Sequence, residues 1–358
     1  MIKKIVRLKV IKYVLKIILS CALIIYLFFA PVLVIKPLKV KQSLVNSEIQ
    51  VDYMGILELW NIDTFEGGSV SRTAFLEKMA LKFERQNKGV FIMVSNMTKE
   101  QALLNLNNGL LPDLVSFGVG IGSDFKDYLV EIKTDKAVRN DLLNGGKKNN
   151  KQFAIPYLFG GYAVFNENEY QKEKTMGFGL KSNNNPLLCL IQNDLINENY
   201  YQYNNEQDSF DAYDKYLSKQ FEALCGTGRD LYRITNRIKN GNMTSRSILY
   251  LSNFTDLVQY IAVCNTDLQK QNVAKKFVDF LLDDYAQSYI QNINMFSVVK
   301  NNLYSIDEFA QMEKALSKDL KTISVFSSDQ DLYEIKQLCI KIASGDDSLK
   351  AQLKKYLI

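Results

Sequence analysis

The chain has 358 residues, of which 47% are hydrophobic and 23% charged, and its formal net charge is +5. Six lysine and arginine residues and no acidic residue lie within the first sixteen positions, so the rest of the chain has a net charge close to zero. A nearly neutral body excludes a general nucleic-acid binder. The chain has no histidine, which excludes Ser-His-Asp and Cys-His catalysis, and its five cysteines form no CxxC pair. No cofactor or metal site is therefore predicted.

The N-terminal region predicts a membrane anchor. Residues 1–16 form a basic cytoplasmic segment, and residues 17–35 form an apolar run long enough to span a bilayer as a helix. The folded body is then extracellular, on the cell membrane of a Gram-positive-like bacterium. A lipid anchor at Cys21 is the alternative, because residues 18–21 resemble a weak lipobox. Residues 36–52 are polar and unpatterned, as in a stalk.

The next part of the chain alternates between strand and helix patterns. Strands are predicted at 55–60, 90–94 and 113–117, and helices at 73–86 and 99–107. This order predicts an α/β fold with a parallel sheet, whose ligands bind at the carboxyl ends of the strands.

The second half is less regular. Residues 167–212 are rich in Asn and Tyr and support no prediction. A helix is predicted at 213–225, a turn and helix start at 226–230, and a strand at 255–263. Further helices are predicted at 273–282, 306–316, 329–343 and 347–357. Four of the five cysteines lie in this half, and buried thiols are favoured over a disulfide framework.

The order of these motifs resembles a known family. LELW, FERQNKGVFIMV, LLPDLVSF, FAIPYLFGGYAVFNENEY, FEALCGTGRDLYR and AKKFVDFLLDDYAQSYI follow one another as in extracellular solute-binding proteins of ABC importers, most similarly the maltodextrin and oligosaccharide-binding type. The resemblance covers residues 53–300. It implies a type II periplasmic-binding-protein-like fold, in which two α/β lobes close on a ligand. A short second lobe and the lack of a clean lipobox depart from the family pattern.

The resemblance also implies lobe boundaries and partners. The first lobe takes residues 53–132 and 251–300, and the second takes 133–250 and 301–358. The expected partners are a small-molecule ligand, a sugar by this resemblance, and the permease subunits of an ABC transporter. The receptor is expected to be a monomer without enzymatic activity.

Candidate ligand contacts follow the first predicted strand. Trp60 is at a position where the family places a cleft aromatic, although a core tryptophan is an equal alternative. Asp63, Glu66 and Arg72 are candidate contacts for ligand hydroxyls, with a local ion pair as the alternative. Phe117 is a further candidate at the end of the third strand.

The remaining candidates come from two later motifs. Tyr157, Phe159 and Tyr162 surround a Gly-Gly pair near the expected lobe crossing, with interlobe packing as the alternative. Thr227 and Arg229, in GTGRD, are expected to face the cleft from the second lobe.

Three functions compete at this point. The leading hypothesis is a membrane-anchored receptor that delivers a small polar ligand to a permease. A sensor or interaction ectodomain with the same fold is the second. A glycoside-cleaving enzyme that uses Glu66 and Asp113 as an acid/base pair is the third.

Overall fold

A computed structural model describes residues 19–20, 53–167, 175–181, 183–196, 207–300 and 302–358. The predicted basic segment, the stalk and all but two residues of the predicted anchor lie outside this range. No helix in the described ranges is long and apolar enough to cross a membrane. Residues Met1–Gln50 and Val51–Ile358 form separate units, and the fold below is that of the second unit.

The fold is mixed α/β with two lobes, each built on its own sheet. The strands are β1 Gly55–Ile62, β2 Val90–Met97, β3 Leu114–Phe117, β4 Lys147–Lys148, β5 Lys151–Gln152, β6 Ala154–Phe159, β7 Tyr162–Asn166, β8 Met176–Gly177, β9 Ala223–Thr227, β10 Ser247–Tyr250, β11 Val258–Val263 and β12 Phe296–Ser297. The first lobe contains a six-stranded sheet in the order β12-β6-β11-β3-β1-β2, and the second lobe contains a four-stranded sheet in the order β10-β7-β9-β8.

Helices cover both sheets. The α-helices are α1 Arg72–Gln86, α2 Lys99–Asn107, α3 Gly122–Phe125, α4 Asn140–Leu143, α5 Pro186–Gln192, α6 Ser209–Leu217, α7 Gly228–Lys239, α8 Leu268–Leu281, α9 Asp284–Tyr289, α10 Asp307–Ala315, α11 Asp329–Ala343 and α12 Lys350–Leu353. Short 3-10 turns occupy Asn144–Gly146, Ile290–Ile293, Asp347–Leu349 and Lys354–Tyr356.

The first lobe confirms the predicted parallel core. β1 pairs in parallel with β2 and with β3, while β11 pairs antiparallel to β3 and β6. The parallel order places the carboxyl ends of β1, β2 and β3 at one edge of the sheet. α1 covers one sheet face with an apolar stripe that includes Phe75, Met79 and Phe83.

Two predicted helices are wrong in part. The helix predicted at 213–225 ends at Leu217, and β9 follows it, because a buried run of five residues has no periodicity that separates strand from helix. The helix predicted at 347–357 is divided into α12 and two 3-10 turns. The predicted buried thiols are confirmed, since Cys189, Cys225, Cys264 and Cys339 are free and buried.

The chain passes between the two sheets at Gly160 and Gly161. β6, which the predicted boundaries assign to the second lobe, pairs within the six-stranded sheet, and β7 begins the four-stranded sheet. A Cβ atom on Gly161 would collide with the side chain of Leu316. The return crossing, between β10 and β11, lies beside the first, because Thr255 Oγ1 donates to the Gly160 carbonyl over 2.8 Å.

Candidate functional site

Three adjoining cavities form a groove between the lobes. Their volumes are about 410, 430 and 380 Å³. The first two share Asp63 and Thr64, and the second and third share Lys99, Glu100 and Asn183. The first wall consists of groove residues from 62–72, 96–101 and Ile121, and the second wall of those from 183–185, 208–210, Arg229, Ile323 and 329–336.

Arg72 and Asp63 form the centre of the first wall. Arg72 is the first residue of α1 and is 5% exposed. Its Nε donates to Asp63 Oδ1 over 2.8 Å and its Nη2 donates to the Phe65 carbonyl over 2.5 Å. The guanidinium also lies over the Phe65 ring, 4.2 Å from the centroid. Hydrogen bonds to two separate acceptors fix the guanidinium plane, so the cation lines the cavity in one orientation.

Arg229 and Arg233 bring α7 against the first wall. Arg229 Nη1 donates to the Ser69 carbonyl over 3.0 Å, and Arg233 Nη1 lies 3.3 Å from Glu66 Oε2. Both arginines belong to α7, whose N-terminus is capped by Thr227 in a capping box with Asp230. Burial raises the pKa of Asp230 to about 6, and Arg233 offsets part of that rise through a 3.1 Å contact.

Four of the ten predicted site residues line the groove: Asp63, Glu66, Arg72 and Arg229. The other six are buried: Trp60, Phe117, Tyr157, Phe159, Tyr162 and Thr227. None of these six lines the three cavities of the groove. As direct ligand contacts they stay predictions.

Trp60 is packed as a core residue. It is 4% exposed, and its ring makes an edge contact with Phe125 at a centroid distance of 6.4 Å. The side chain therefore supports the end of β1 from within the lobe. The Phe117 ring is stacked on the same Phe125 ring at 6.2 Å.

The buried tyrosines satisfy internal polar networks. Tyr157 OH is 3.0 Å from Ser116 Oγ, which donates to Asn61 Oδ1 and accepts from Gln259 Nε2. Such a network fixes the polar end of β1 beneath the groove.

A second buried network lies at the crossing. Tyr162 OH donates to Asp256 Oδ1 over 2.7 Å, and the Asn185 backbone N–H donates to Asp256 Oδ2 over 2.6 Å. Asn184, which lines the first cavity, donates to Tyr162 OH over 3.3 Å. Burial raises the pKa of Asp256 to about 6. Two groups of the second lobe are therefore tied to one buried carboxylate in the segment that leads back to the first lobe.

Several groove residues were missed by the sequence prediction. Asn184, Asp208 and Phe210 lie in the 167–212 segment, which supported no prediction, and Phe210 is 58% exposed beside the first cavity. Asp208 forms a capping box with Asp211 at the start of α6. That acidic spacing of three residues was a signal for a helix start.

The proposed acid/base pair receives no geometric support. Asp113 is 2% exposed, accepts a hydrogen bond from the Glu58 backbone N–H over 3.0 Å and lies 3.1 Å from Lys270 Nζ. It is not a lining residue of the first cavity, where Glu66 lies. Across the described ranges, no group of three Cys, Asp or Glu side chains is arranged to hold a metal ion.

Comparisons with known proteins support the fold. No protein-family model and no curated protein matches the sequence. The GacH receptor of Streptomyces glaucescens, solved alone and with acarbose, is 12% identical at a TM-score of 0.56, covering 85% of this chain and 100% of its own. The galacto-N-biose/lacto-N-biose I-binding protein of Bifidobacterium longum is 10% identical at 0.55, covering 85% and 95%.

A third neighbour is iron-bound HitA from Pseudomonas aeruginosa, 13% identical at a TM-score of 0.52, which covers 80% of this chain and 99% of its own. The three neighbours share a fold with this chain but take different ligands. Ligand class therefore depends on the groove residues and not on the fold.

Proposed function

We propose that the chain is an extracellular binding protein that holds a small polar ligand, a carbohydrate, in the groove and delivers it to an ABC permease. The observation that carries the proposal is the first cavity, where guanidinium groups, carboxylates and one exposed aromatic ring come together. Arg72 and Arg229 supply donors, Asp63 and Glu66 supply acceptors, and Phe210 supplies the ring.

This mixture suits a polyhydroxylated ligand. A sugar hydroxyl both donates and accepts, so it needs carboxylates and guanidinium groups within reach of the same molecule. A sugar ring also presents C–H groups that pack on an aromatic face. Two of the neighbours named above were solved in complex with acarbose or lacto-N-biose, which favours a carbohydrate over the iron that the third neighbour binds.

Membrane attachment and delivery belong to the same proposal. The apolar run at 17–35 would hold the receptor at the membrane near its permease. No catalytic step is assigned to the groove.

A thermal-shift screen tests the binding function. The full chain in mild detergent is heated with neutral monosaccharides, maltodextrins, other oligosaccharides, uronic acids, amino acids, inorganic phosphate and ferric citrate. A ligand that binds the native state raises Tm by several degrees at saturation. Arg72→Gln and Arg229→Gln should reduce that rise. Lys300→Gln, which removes a charge outside the groove, should not.

The outcomes separate ligand class from function. A shift with amino acids or ferric citrate alone would replace the carbohydrate but keep the receptor. If no compound shifts Tm in a cooperatively unfolding sample, the receptor function is wrong and the sensor alternative takes its place. Delivery is tested separately, by uptake of the identified compound in cells with and without the chain.

A further inference from the structure

Two ion pairs cross the groove from one lobe to the other. Glu66, in the loop after β1, lies 3.3 Å from Arg233 Nη1 on α7. Lys99 Nζ, at the start of α2, lies 2.8 and 3.1 Å from the two carboxylate oxygens of Asp329, at the start of α11. α11 belongs with the second lobe, since Asn185 Nδ2 lies 3.6 Å from Cys339 Sγ on that helix.

The two pairs lie at different parts of the groove. Glu66 lines the first cavity, whereas Lys99 and Asp329 line the third. At the first cavity the hydrogen bond from Arg229 Nη1 to the Ser69 carbonyl, over 3.0 Å, adds to the Glu66–Arg233 pair. The two ion pairs therefore oppose lobe separation at both the first and the third cavity.

In both pairs the cation also has an acidic partner in its own lobe. Arg233 contacts Asp230 Oδ1 at 3.1 Å, and Lys99 lies 3.6 Å from Asp124 Oδ2. Lobe separation therefore breaks one contact of each cation and retains the other. Each cation keeps an acidic partner when the lobes separate, so the two pairs oppose opening only weakly.

The local electrostatics favour the closed arrangement. A lysine at a helix N-terminus is placed unfavourably against the helix dipole, and Asp329 compensates for this at Lys99. Asp329 is itself placed favourably at the N-terminus of α11. Arg233 is held in place because its guanidinium lies 5.2 Å from the Tyr213 ring centroid and 5.8 Å from that of Phe210. A preordered cation loses less entropy when it pairs with Glu66.

From these contacts we propose that Glu66–Arg233 and Lys99–Asp329 form an electrostatic latch that sets the balance between open and closed lobes. The latch acts through partly exposed pairs, so each should change the open-to-closed ratio only about twofold to fivefold. It is a reversible device that salt weakens. The inference concerns lobe closure and does not depend on which ligand the groove takes.

Single-molecule FRET on the full chain in nanodiscs tests the latch. Dyes are attached through unnatural amino acids at exposed Glu77 on α1 and Lys239 on α7, one in each lobe. Raising NaCl from 20 to 500 mM should increase the low-transfer population. Glu66→Gln and Asp329→Asn should each increase it about twofold to fivefold at 20 mM NaCl, and the double variant should lose most of its salt dependence.

A charge swap and an intralobe control complete the test. Glu66→Arg combined with Arg233→Glu should recover part of the high-transfer population that either change alone removes. Lys300→Gln breaks a 3.1 Å pair with Asp284 within the first lobe and should leave the populations unchanged. The latch is wrong if the populations ignore both salt and the groove substitutions, or if Lys300→Gln shifts them equally. None of these readouts uses a ligand, so a failed ligand screen leaves the result interpretable.

Discussion

The two walls of the groove are built in different ways. The first wall follows the end of β1, a strand inside a six-stranded sheet, and is supported from below by the hydrogen bonds of Asn61, Ser116 and Gln259. The second wall is formed mainly at helix N-termini, where Asp208 caps α6 and Thr227 caps α7. One wall is fixed by the buried core of a sheet, and the other mainly by helix caps. The two should therefore differ in how much stability a single change removes.

The largest effect is expected in the core beneath the first wall. Trp60→Ala removes a side chain that is 4% exposed and should lower the free energy of unfolding by about 3–5 kcal/mol. Chemical denaturation followed by circular dichroism measures it. Trp60→Phe keeps most of the packing and should cost less. A loss below about 1 kcal/mol for Trp60→Ala would show that the residue is not part of the core.

The buried carboxylate of Asp256, in the crossing between the lobes, predicts a pH effect. The folded-state pKa of Asp256 is about 6, against an ordinary value of 3.8, because burial penalises its charged form. Its contribution to stability is fully present below about pH 4 and is lost as the pH rises through 6. A pKa difference of this size corresponds to a loss of roughly 3 kcal/mol in the free energy of unfolding over that pH range. Burial also raises the pKa of Asp230 on α7 to about 6, and this group changes stability in the same direction.

Denaturation between pH 4 and 7 isolates the Asp256 contribution. The native chain also contains groups with the opposite sign, such as Asp141, whose pKa is lowered mainly by its hydrogen bond from Arg139 despite burial. The useful quantity is therefore the difference between the native chain and Asp256→Asn. The variant should lose less stability than the native chain as the pH rises. Identical pH profiles would contradict the role of Asp256.

Capping gives a smaller effect, on the second wall. Thr227→Ala removes the side chain that accepts from the Arg229 backbone N–H over 3.2 Å, and should lower the free energy of unfolding by about 1 kcal/mol. Asp267→Ala removes the cap of α8, outside the groove, at a similar cost. Only Thr227→Ala should also reduce the ligand-induced rise in Tm, because Arg229 is displaced. If the ligand-induced rise in Tm is the same in the two variants, the Thr227 cap does not contribute to ligand binding.

The difference between the walls also explains what the sequence could predict. α2 at 99–107 and α11 at 329–343 were predicted with their observed bounds, because periodic apolar residues follow a recognisable cap at each. Asp63, Glu66 and Arg72 were predicted as groove residues because a parallel strand places its following loop at the ligand edge. Asn184 and Phe210 were not predicted, because contacts between distant segments place them in the groove and local sequence periodicity does not indicate such contacts.

The burial of aromatic residues was the second feature that the sequence did not predict. Trp60, Tyr157 and Tyr162 follow apolar runs in the same way as a ligand-contacting ring would, yet the structure buries all three. Sequence position gives the end of a strand but not the face to which the side chain turns. The exposed ring at the first cavity is instead Phe210, in a polar segment.

Phe210→Ala should therefore have the smallest effect on stability and a clear effect on binding. The ring is 58% exposed, so its removal should change the free energy of unfolding by less than about 0.5 kcal/mol. Loss of an aromatic face from a sugar contact should weaken affinity by about fivefold, measured by isothermal titration with the compound from the thermal screen. Phe210→Tyr keeps the face and should bind nearly as the native chain does. Because the ring also lies 5.8 Å from the Arg233 guanidinium, the alanine variant is compared with Asp329→Asn, which weakens the other interlobe pair and leaves the first cavity unchanged. Weaker binding in Phe210→Ala than in Asp329→Asn assigns the effect to the ring, whereas equal losses assign it to lobe closure.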